Sequence, residues 1–257
     1  SGDTWVPGQW ICAVAEDGET INFTVDNCHF LDNPNAGDWN SILVRQGVTS
    51  GNLTATFTNC IFANVGMPIL LEGGHTTMTN CLFKDWYNFG ANVLFGDGSD
   101  VAFSHCAFLM TGDNGYGAGA AGVFVGSSQG GTVTIDHCDF LSTSDPGLGY
   151  AVQNVWSGKT DVVVTNCTIS VTLVGSVLSN TSDSPLASLT YDYCNMNGIA
   201  DAGCTGGANN TATFVAPNYA DIPTDWSYDN AELLTADSEG GALGSSLGGT
   251  IVPPVGE

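Results

Sequence analysis

The stretch TATFTNCIFAN, residues 54–64, decides the fold of this chain because closely similar phrases recur along the sequence. The related phrases are TTMTNCLFKD at 76–85, VAFSHCAFLM at 101–110, VTIDHCDFLS at 133–142 and VVVTNCTISV at 162–171. The cysteines of the full series lie 21 to 32 residues apart, and they are Cys28, Cys60, Cys81, Cys106, Cys138, Cys167 and Cys194. A loose period of this length is typical of a solenoid that is built from stacked structural repeats.

Apolar residues stand at fixed positions around each cysteine: five and three residues before it, and two residues after it. Around Cys60 these residues are Ala55, Phe57 and Phe62. The alternation is that of a half-buried strand, with one change of phase between the third residue before the cysteine and the cysteine itself. The pattern therefore predicts two short strands that are separated by a bend and face the same core.

The residue before each cysteine is the predicted bend, because Asn and His tolerate the left-handed backbone conformation better than most residues. The bend residues are Asn27, Asn59, Asn80, His105, His137, Asn166 and Tyr193. Each cysteine is then the first inward residue after the bend. We interpret the cysteines as a column of small buried side chains, mostly free thiols. Cys204 lies outside the repeat, so Cys194 and Cys204 are the better candidates for a disulfide.

A third apolar stretch precedes most phrases, for example SILVRQG at 41–47 and PILLEGG at 68–74. Three short strands per repeat predict an all-β fold, a parallel β-helix of about seven to eight rungs. We assign residues 1–204 to this β-helix. Residues 205–257 are rich in Gly and Asp, and we expect them to form a closing segment and tail that is packed on, or exchanged from, the end of the helix.

The repeat resembles the right-handed parallel β-helix of the pectin-lyase-like superfamily over roughly residues 10–200. The resemblance implies an inward ladder of asparagines at the one-residue bend. The matching positions are Asn27, Asn59, Asn80 and Asn166, with His105 and His137 as substitutes. This fold carries lyases, hydrolases, adhesins and structural fibres, so the resemblance specifies the fold more closely than the function.

The charge of the chain limits its partners. There are 26 acidic and 3 basic residues, which gives a formal net charge of −23. A chain this acidic lacks the basic surface that nucleic acids require, and it is unsuited to anionic lipid. No run of about 18 apolar residues is present, so we expect no membrane insertion. The composition favours an extracellular or cell-surface protein that needs no cofactor, with Ca²⁺ as the candidate ligand of its acidic surface.

Enzymatic function is not favoured by the sequence. Catalysis in the superfamily usually occupies the face of the first strand and its adjoining turn, which implies Glu72, Asp97, Arg45 and Lys84 as candidates. Polysaccharide lyases need a base and a means to neutralise a uronate, and three basic residues barely supply these groups. Hydrolases on this fold use paired carboxylates, and the chain has no Asp-Asp pair. Arg45 beside Glu72 is more simply a cross-rung ion pair.

Three functions therefore remain. The first is a structural or adhesive β-helix module that self-associates head to tail into a surface filament, because the open ends of a solenoid expose strand edges. The second is a carbohydrate-active β-helix or glycan-binding module, for which exposed aromatics are candidate sugar platforms, unless they pack under loops. These are Trp86, Tyr87, Phe89 and Tyr116. The third is ice binding, because Thr56 with Thr58 and Thr77 with Thr79 form Thr-x-Thr pairs on an outward face.

Overall fold

The structure is a computed structural model. It describes residues 11–15, 18–33, 42–46, 52–94, 99–112, 120–126, 130–143, 148–155, 159–171, 176–181, 187–217, 219–221, 225–228, 233, 236–239, 242 and 244. The described part is an all-β parallel solenoid with three parallel sheets, as the sequence predicted. Within these residues, no helix is long and apolar enough to cross a membrane.

The strands are numbered in chain order, and three sheets, A, B and C, take every third strand. Sheet A contains β1 (Ile11–Ala15), β4 (Ile42–Gln46), β7 (Ile69–Glu72), β10 (Phe89–Val93), β13 (Ala121–Val125), β16 (Tyr150–Asn154), β19 (Ser176–Asn180) and β22 (Ile199–Ala200). Sheet B contains β2 (Thr20–Asp26), β5 (Asn52–Thr58), β8 (His75–Thr79), β11 (Ser99–Ser104), β14 (Gly130–Asp136), β17 (Lys159–Thr165), β20 (Ser188–Asp192) and β23 (Thr205–Gly206). Sheet C contains β3 (His29–Asn33), β6 (Ile61–Val65), β9 (Leu82–Trp86), β12 (Ala107–Met110), β15 (Asp139–Ser142), β18 (Thr168–Ser170) and β21 (Asn195–Asn197).

A small antiparallel pair, β24 (Tyr219–Asp221) and β25 (Asp225–Tyr228), follows the solenoid in the chain. In the solenoid, strands of successive turns pair in parallel, and equivalent repeat positions stand opposite one another. Phe57 pairs with Met78, and Met78 pairs with Phe103. This register stacks each inward residue on its equivalent in the next turn, so the sequence repeat becomes a set of side-chain columns inside the solenoid.

The predicted bends are confirmed by the backbone. All seven predicted bend residues have positive φ, between 49° at His137 and 55° at Asn59, Asn80 and Asn166. Asn64 and Asp85 also have positive φ, at 55° and 51°, in a second corner that the sequence analysis did not identify. One left-handed residue reverses the alternation, so the strands on both sides of it turn their apolar residues inward.

The cysteine column is buried, as expected. Cys60, Cys81, Cys106, Cys138, Cys167 and Cys194 are at most 1% exposed, and Cys28 is partly buried. The Sγ atom of Cys60 donates to the backbone oxygens of Thr58 at 3.3 Å and Val25 at 3.6 Å. Both Cys194 and Cys204 are free thiols, so the prediction that they are the better disulfide candidates is wrong. Cys204 instead lies 3.4 Å from the carboxylate of Asp201.

A column of phenylalanines lies two residues after the cysteines and fills the core. The rings of Phe30, Phe62, Phe83, Phe108 and Phe140 stack in order, with centroid distances of 5.1, 4.8, 4.7 and 4.7 Å. Their planes deviate from parallel by 10° or less. Such offset ring stacks add to the stabilisation that comes from burying apolar area.

The inward direction expected for the asparagine ladder is wrong. Asn27 is exposed, and Asn59 donates from Nδ2 to the carboxylate of the exposed residue Asp26 at 3.0 Å. Asn80 in turn donates to the side-chain oxygen of Asn59. The ladder therefore exists, but it lies on the outside of the solenoid. His105 and His137 continue the same outer column as stacked rings, 4.9 Å apart.

Candidate functional site

The outer surfaces of the three sheets differ in how far they are covered. Four apolar residues on the outer side of sheet C are fully buried, namely Ile61, Leu82, Ala107 and Leu109. On the outer side of sheet A, Leu70 and Phe124 are also buried. By contrast, sheet B leaves its outward residues exposed or half-buried along its whole length. Sheet B is therefore the open surface of the described solenoid and the first candidate for a contact surface.

Three columns of outward side chains run across sheet B, one strand apart at about 4.8 Å. The central column contains only Thr, Ala and Val: Thr24, Thr56, Thr77, Ala102, Thr134, Val163, Thr190 and Thr205. The column beside the bends contains Asp26, Thr58, Thr79, Ser104, Asp136, Thr165 and Asp192. The far column contains Asn22, Thr54, His75, Asp100, Thr132, Asp161 and Ser188. These columns together are called the sheet-B face.

The three aspartates of the bend-side column interact with the bends or with the chain that follows the solenoid. Asp26 accepts from Asn59 at 3.0 Å, and Asp192 accepts from the side chain of Asn209 at 2.9 Å. Asp136 accepts from Thr165 and Asn166 at 2.8 Å each. Burial alone would raise the pKa of Asp136, but hydrogen bonds from His137, Asn166 and Thr165 outweigh it and lower the pKa to about 2. The charges are thus held at the edge of the face, beside an uncharged central column.

A shallow pocket of about 300 Å³ lies at the C-terminal end of the sheet-B face. Thr165 and Asp192 line it on one side, Val163 and Thr190 on the other, and Gly207 closes its end. A Cβ atom at Gly207 would lie 2.2 Å from the carboxylate carbon of Asp192, so a larger residue there would displace the Asp192 side chain. The pocket thus lies between the central and the bend-side columns of the sheet-B face.

His137 is the centre of a charged cluster in the bend column. Its Nδ1 lies 2.9 Å from Asp136, and its Nε2 lies 3.1 Å from Asp237 in the C-terminal segment. The hydrogen bond to Asp136 is the main cause that raises the pKa of His137 to about 9, against the effect of burial. Burial and the neighbouring His137 lower the pKa of His105. At neutral pH the cluster therefore contains one charged and one neutral imidazole.

The structure places two of the predicted catalytic candidates on neighbouring strands and a third on another sheet. Arg45 and Glu72 are register partners on neighbouring strands of sheet A. Lys84 lies on β9 in sheet C, with its Nζ 3.8 Å from Asp85. Asp97 lies outside the described residues. Of the candidates that can be placed, Arg45 and Glu72 are thus adjacent in sheet A, and Lys84 lies in sheet C.

The expectation of an exposed aromatic platform is wrong for two of its members. Trp86 is 1% exposed, and its Nε1 donates to the backbone oxygen of Ala121 at 3.0 Å. Phe89 is 8% exposed and stacks on Phe124 at a centroid distance of 4.0 Å. Tyr87 is half-buried, and Tyr116 lies outside the described residues. Trp86 and Phe89 therefore pack against neighbouring parts of the chain, the alternative that the sequence left open.

Comparison with known protein families matches residues 22–216 to the model of the right-handed β-helix region. The chain belongs to the right-handed β-helix family. This membership agrees with the resemblance to the pectin-lyase-like superfamily. The sequence matches no curated protein and no solved structure significantly. Membership therefore establishes the fold, and the function has to be argued from the surface of this β-helix.

Among the described residues of this β-helix, no group of three or more His, Cys, Asp or Glu side chains could hold a metal ion. The cysteine column does not change this result, because each thiol donates to backbone oxygens in the core. Ca²⁺ on the acidic surface stays a prediction.

Sequence reasoning missed the contacts made by the segments after the repeat. Asn210 accepts from the backbone of Cys194, and Val215 donates to the side chain of Asn195. The hydroxyl of Tyr219 donates to the carboxylate of Asp139, which lies 80 residues earlier in the chain. Nothing in the local sequence around these residues has a period that would align them with the solenoid, so no signal predicted these pairs.

Proposed function

We propose that this chain is an extracellular structural or adhesive β-helix module whose contact surface is the sheet-B face. The observation that carries the proposal is the contrast between the faces, since many outward residues of sheets A and C are buried, whereas those of sheet B are exposed or half-buried. The acidic, Lys-poor composition supports a secreted or surface location. The family hosts both enzymes and non-catalytic proteins, so the surface itself has to decide between them.

The central column of the sheet-B face suits contact with a flat, repetitive surface. Threonine and valine are branched at Cβ and therefore stiff, so little side-chain freedom is lost when a partner covers them. Their methyl groups supply apolar contact, and the threonine hydroxyls donate or accept hydrogen bonds. The only other residue of the column is Ala102, which is also small. The partners we propose are a neutral polysaccharide fibre or another copy of the chain.

The proposal includes self-association, but in a geometry other than the head-to-tail stacking that the sequence suggested. Head-to-tail stacking requires free strand edges at both ends. At the C-terminal end of sheet C, Thr211 donates to the backbone oxygen of Cys194, and Asn210 accepts from the backbone N–H of Cys194. These contacts oppose the addition of another strand, so we favour association side by side.

Binding to insoluble microcrystalline cellulose and chitin, measured by co-sedimentation, tests this function. Replacement of Thr77 by Tyr places a bulky side chain in the central column, and we expect it to weaken binding at least tenfold. The matched control is Thr213→Tyr, because Thr213 is an exposed threonine away from the face. Sedimentation velocity on the same proteins reports self-association. A wild-type protein that stays monomeric and binds neither fibre would refute the proposal.

A carbohydrate-active β-helix is the alternative, and it has a direct test. Incubation with polygalacturonate and with neutral polysaccharides should release product if the chain is a lyase or a hydrolase. Glu72→Gln should then abolish the release, because Glu72 is the candidate carboxylate that pairs in register with Arg45. Unchanged product release in this variant would remove Glu72 from the reaction.

Ice binding is the second candidate, favoured by one specific observation. Where the Thr-x-Thr pattern fails in the central column, the replacements are Ala102 and Val163, which keep a methyl surface. The prediction is thermal hysteresis that Thr56→Tyr and Thr77→Tyr reduce severalfold, while Thr213→Tyr leaves it unchanged. Ice growth that is unaffected by the wild-type protein at millimolar concentration would exclude this function.

A further inference from the structure

Five Asn-x-Thr or Asn-x-Ser sequences occur in the chain, and they begin at Asn22, Asn52, Asn166, Asn180 and Asn209. Such a sequence, with any residue except Pro in the middle, is the acceptor of N-linked glycosylation in secreted proteins. A chain rich in Asn and Thr contains some of them by chance. The structure separates the five by the surroundings of each asparagine side chain.

Asn22 and Asn52 face solvent from the first two strands of sheet B. Both residues are exposed, and so are Thr24 and Thr54, which complete their acceptor sequences. Side chains two positions apart on a strand lie on the same side of the sheet. Each asparagine and its threonine therefore face outward together, while the residue between them packs on the core. A group attached to either amide would extend into solvent.

Asn166 cannot carry a glycan in this fold. It is 4% exposed, and its Nδ2 donates to Asp136 at 2.8 Å and to Ser238 at 3.2 Å. An asparagine Nδ2 has two hydrogens, and attachment of a sugar replaces one of them. A glycan at Asn166 would therefore break one of these hydrogen bonds and would have to pass through buried protein.

The amides of Asn180 and Asn209 are engaged at the C-terminal end of the solenoid. Nδ2 of Asn180 donates to the backbone oxygen of Gly203, and Nδ2 of Asn209 donates to the carboxylate of Asp192, both at 2.9 Å. Asn180 is also half-buried, and its Oδ1 is enclosed by protein. These two side chains hold the end of the solenoid together, so the candidates are reduced to the asparagines of β2 and β5.

The two remaining asparagines lie close together at the edge of sheet B. Within the described residues, β2 is the first strand of this sheet and pairs only with β5. In the register of this pair, Asn22 lies opposite Thr54, and Asn52 lies opposite Thr20. The asparagines are thus about 5 Å apart across the strands and about 7 Å apart along them. A strand at the edge of a sheet invites pairing with another chain, and natural proteins screen such edges.

We propose that Asn22 and Asn52 are acceptors of N-linked oligosaccharides, which screen the edge of β2 and restrict the contact surface of the sheet-B face to β8 and the strands that follow it. The donor is an oligosaccharide linked to a lipid diphosphate. Nδ2 of the asparagine forms a bond to C1 of the oligosaccharide, and the bond between C1 and the diphosphate oxygen breaks. The lipid diphosphate leaves with the electron pair, and the amide gives up one proton. The proposal rests on the extracellular location in the proposed function, because secreted chains meet this donor.

Oligosaccharides at these two positions would occupy the space over the N-terminal end of the sheet-B face. Asn22 belongs to the far column, and Asn52 lies one position beyond it. The central column from Thr77 onward therefore stays accessible to a partner. The same oligosaccharides obstruct the approach of another solenoid to the edge of β2. Glycans at this end thus favour contact side by side over contact end to end.

Secretion of the full chain from a eukaryotic host, behind a cleavable leader, tests the acceptors. The leader brings the chain to the lipid-linked donor whatever its natural location. Enzymatic removal of the glycans in water labelled with heavy oxygen converts each glycosylated asparagine into a labelled aspartate, which peptide mass spectrometry locates. We expect label at Asn22 and Asn52 and none at Asn166. The proposal is overturned if either Asn22 or Asn52 is unlabelled in the secreted protein, or if Asn166 is labelled.

Variants that leave the asparagines in place provide the matched control. Thr24→Ala and Thr54→Ala should each remove one glycan, because each destroys one acceptor sequence. Thr20→Ala changes an exposed threonine on the same side of β2 and should keep both glycans. Loss of a glycan in Thr20→Ala would show that occupancy depends on the strand rather than on the acceptor sequence, and it would refute the assignment.

Sedimentation velocity tests the screening of the edge. The double variant Thr24→Ala/Thr54→Ala should self-associate severalfold more strongly than the glycosylated wild-type protein. Trimming the wild-type glycans to a single sugar should have the same effect, which excludes an effect of the substitutions themselves. Equal association of the glycosylated and trimmed proteins would overturn the screening role. Occupancy is read independently of fibre binding, so a labelled protein that binds no fibre refutes the proposed function alone, and an unlabelled protein that binds fibre refutes the glycans alone.

Discussion

Replacement of Phe83 by Ala tests whether the stacked phenylalanines support the solenoid as one column. Phe83 is fully buried and stacks on Phe62 at 4.8 Å and on Phe108 at 4.7 Å. Truncation of a buried phenylalanine costs about 3–5 kcal/mol. Because two stacked neighbours are lost together, we expect a value near 5 kcal/mol. Phe30 is partly buried and stacks on Phe62 at 5.1 Å, so Phe30→Ala should cost only about 2 kcal/mol.

Urea unfolding, followed by far-ultraviolet circular dichroism, measures both free energies of unfolding. Phe83→Leu is the control for volume, and it should cost about 1.5 kcal/mol because most of the core contact remains. Hydrogen exchange of β9 and its neighbours would show whether the loss is local to these turns, as expected in a solenoid with nearest-neighbour contacts. The reasoning is refuted if Phe83→Ala and Phe30→Ala destabilise the protein equally.

Three further predictions follow from the bends, the cysteines and the carboxylates. Asn80→Ala should destabilise by about 1–2 kcal/mol in urea unfolding, because Ala disfavours the positive φ at this position, whereas Asn80→Gly should cost less. Cys138 should react with a thiol reagent only after unfolding, since burial raises its pKa and excludes the reagent, while Cys28 should react measurably in the native protein. Below about pH 4 the stability should fall by about 1 kcal/mol as Asp136, with a pKa of about 2, takes up a proton, and Asp136→Asn should remove this acid-dependent loss.

The repeated strands could be predicted because the information is local. Phe57, Cys60 and Phe62 alternate with polar residues around one bend, and the same pattern returns in every turn. The bend itself was predictable from Asn59, since few other residues accept positive φ. A period of two and a left-handed residue together define the strand, the corner and the inward face. The sequence was therefore sufficient to predict which residues form the core and that Arg45 lies opposite Glu72.

The direction of the bend side chains could not be derived from the alternation. A left-handed residue interrupts the period of two, so its own side chain belongs to neither the inward nor the outward series. The structure shows that Asn59 bonds to the outward residue Asp26. The contacts of the C-terminal segment could not be predicted for another reason, because Asp237 and Tyr219 meet His137 and Asp139 across 100 and 80 residues of chain.

The degree to which each outer surface is covered, more than the composition of its strands, determines which face of this β-helix is available for contact with a partner. Sheet B has the longest strands, with seven residues in β2, β5, β14 and β17, and it gains the most regular outward columns. The strands of sheet C have three to five residues, and their outer apolar residues are buried or partly buried. A long, regular and open sheet between two covered ones favours contact with an extended partner over the binding of a small substrate.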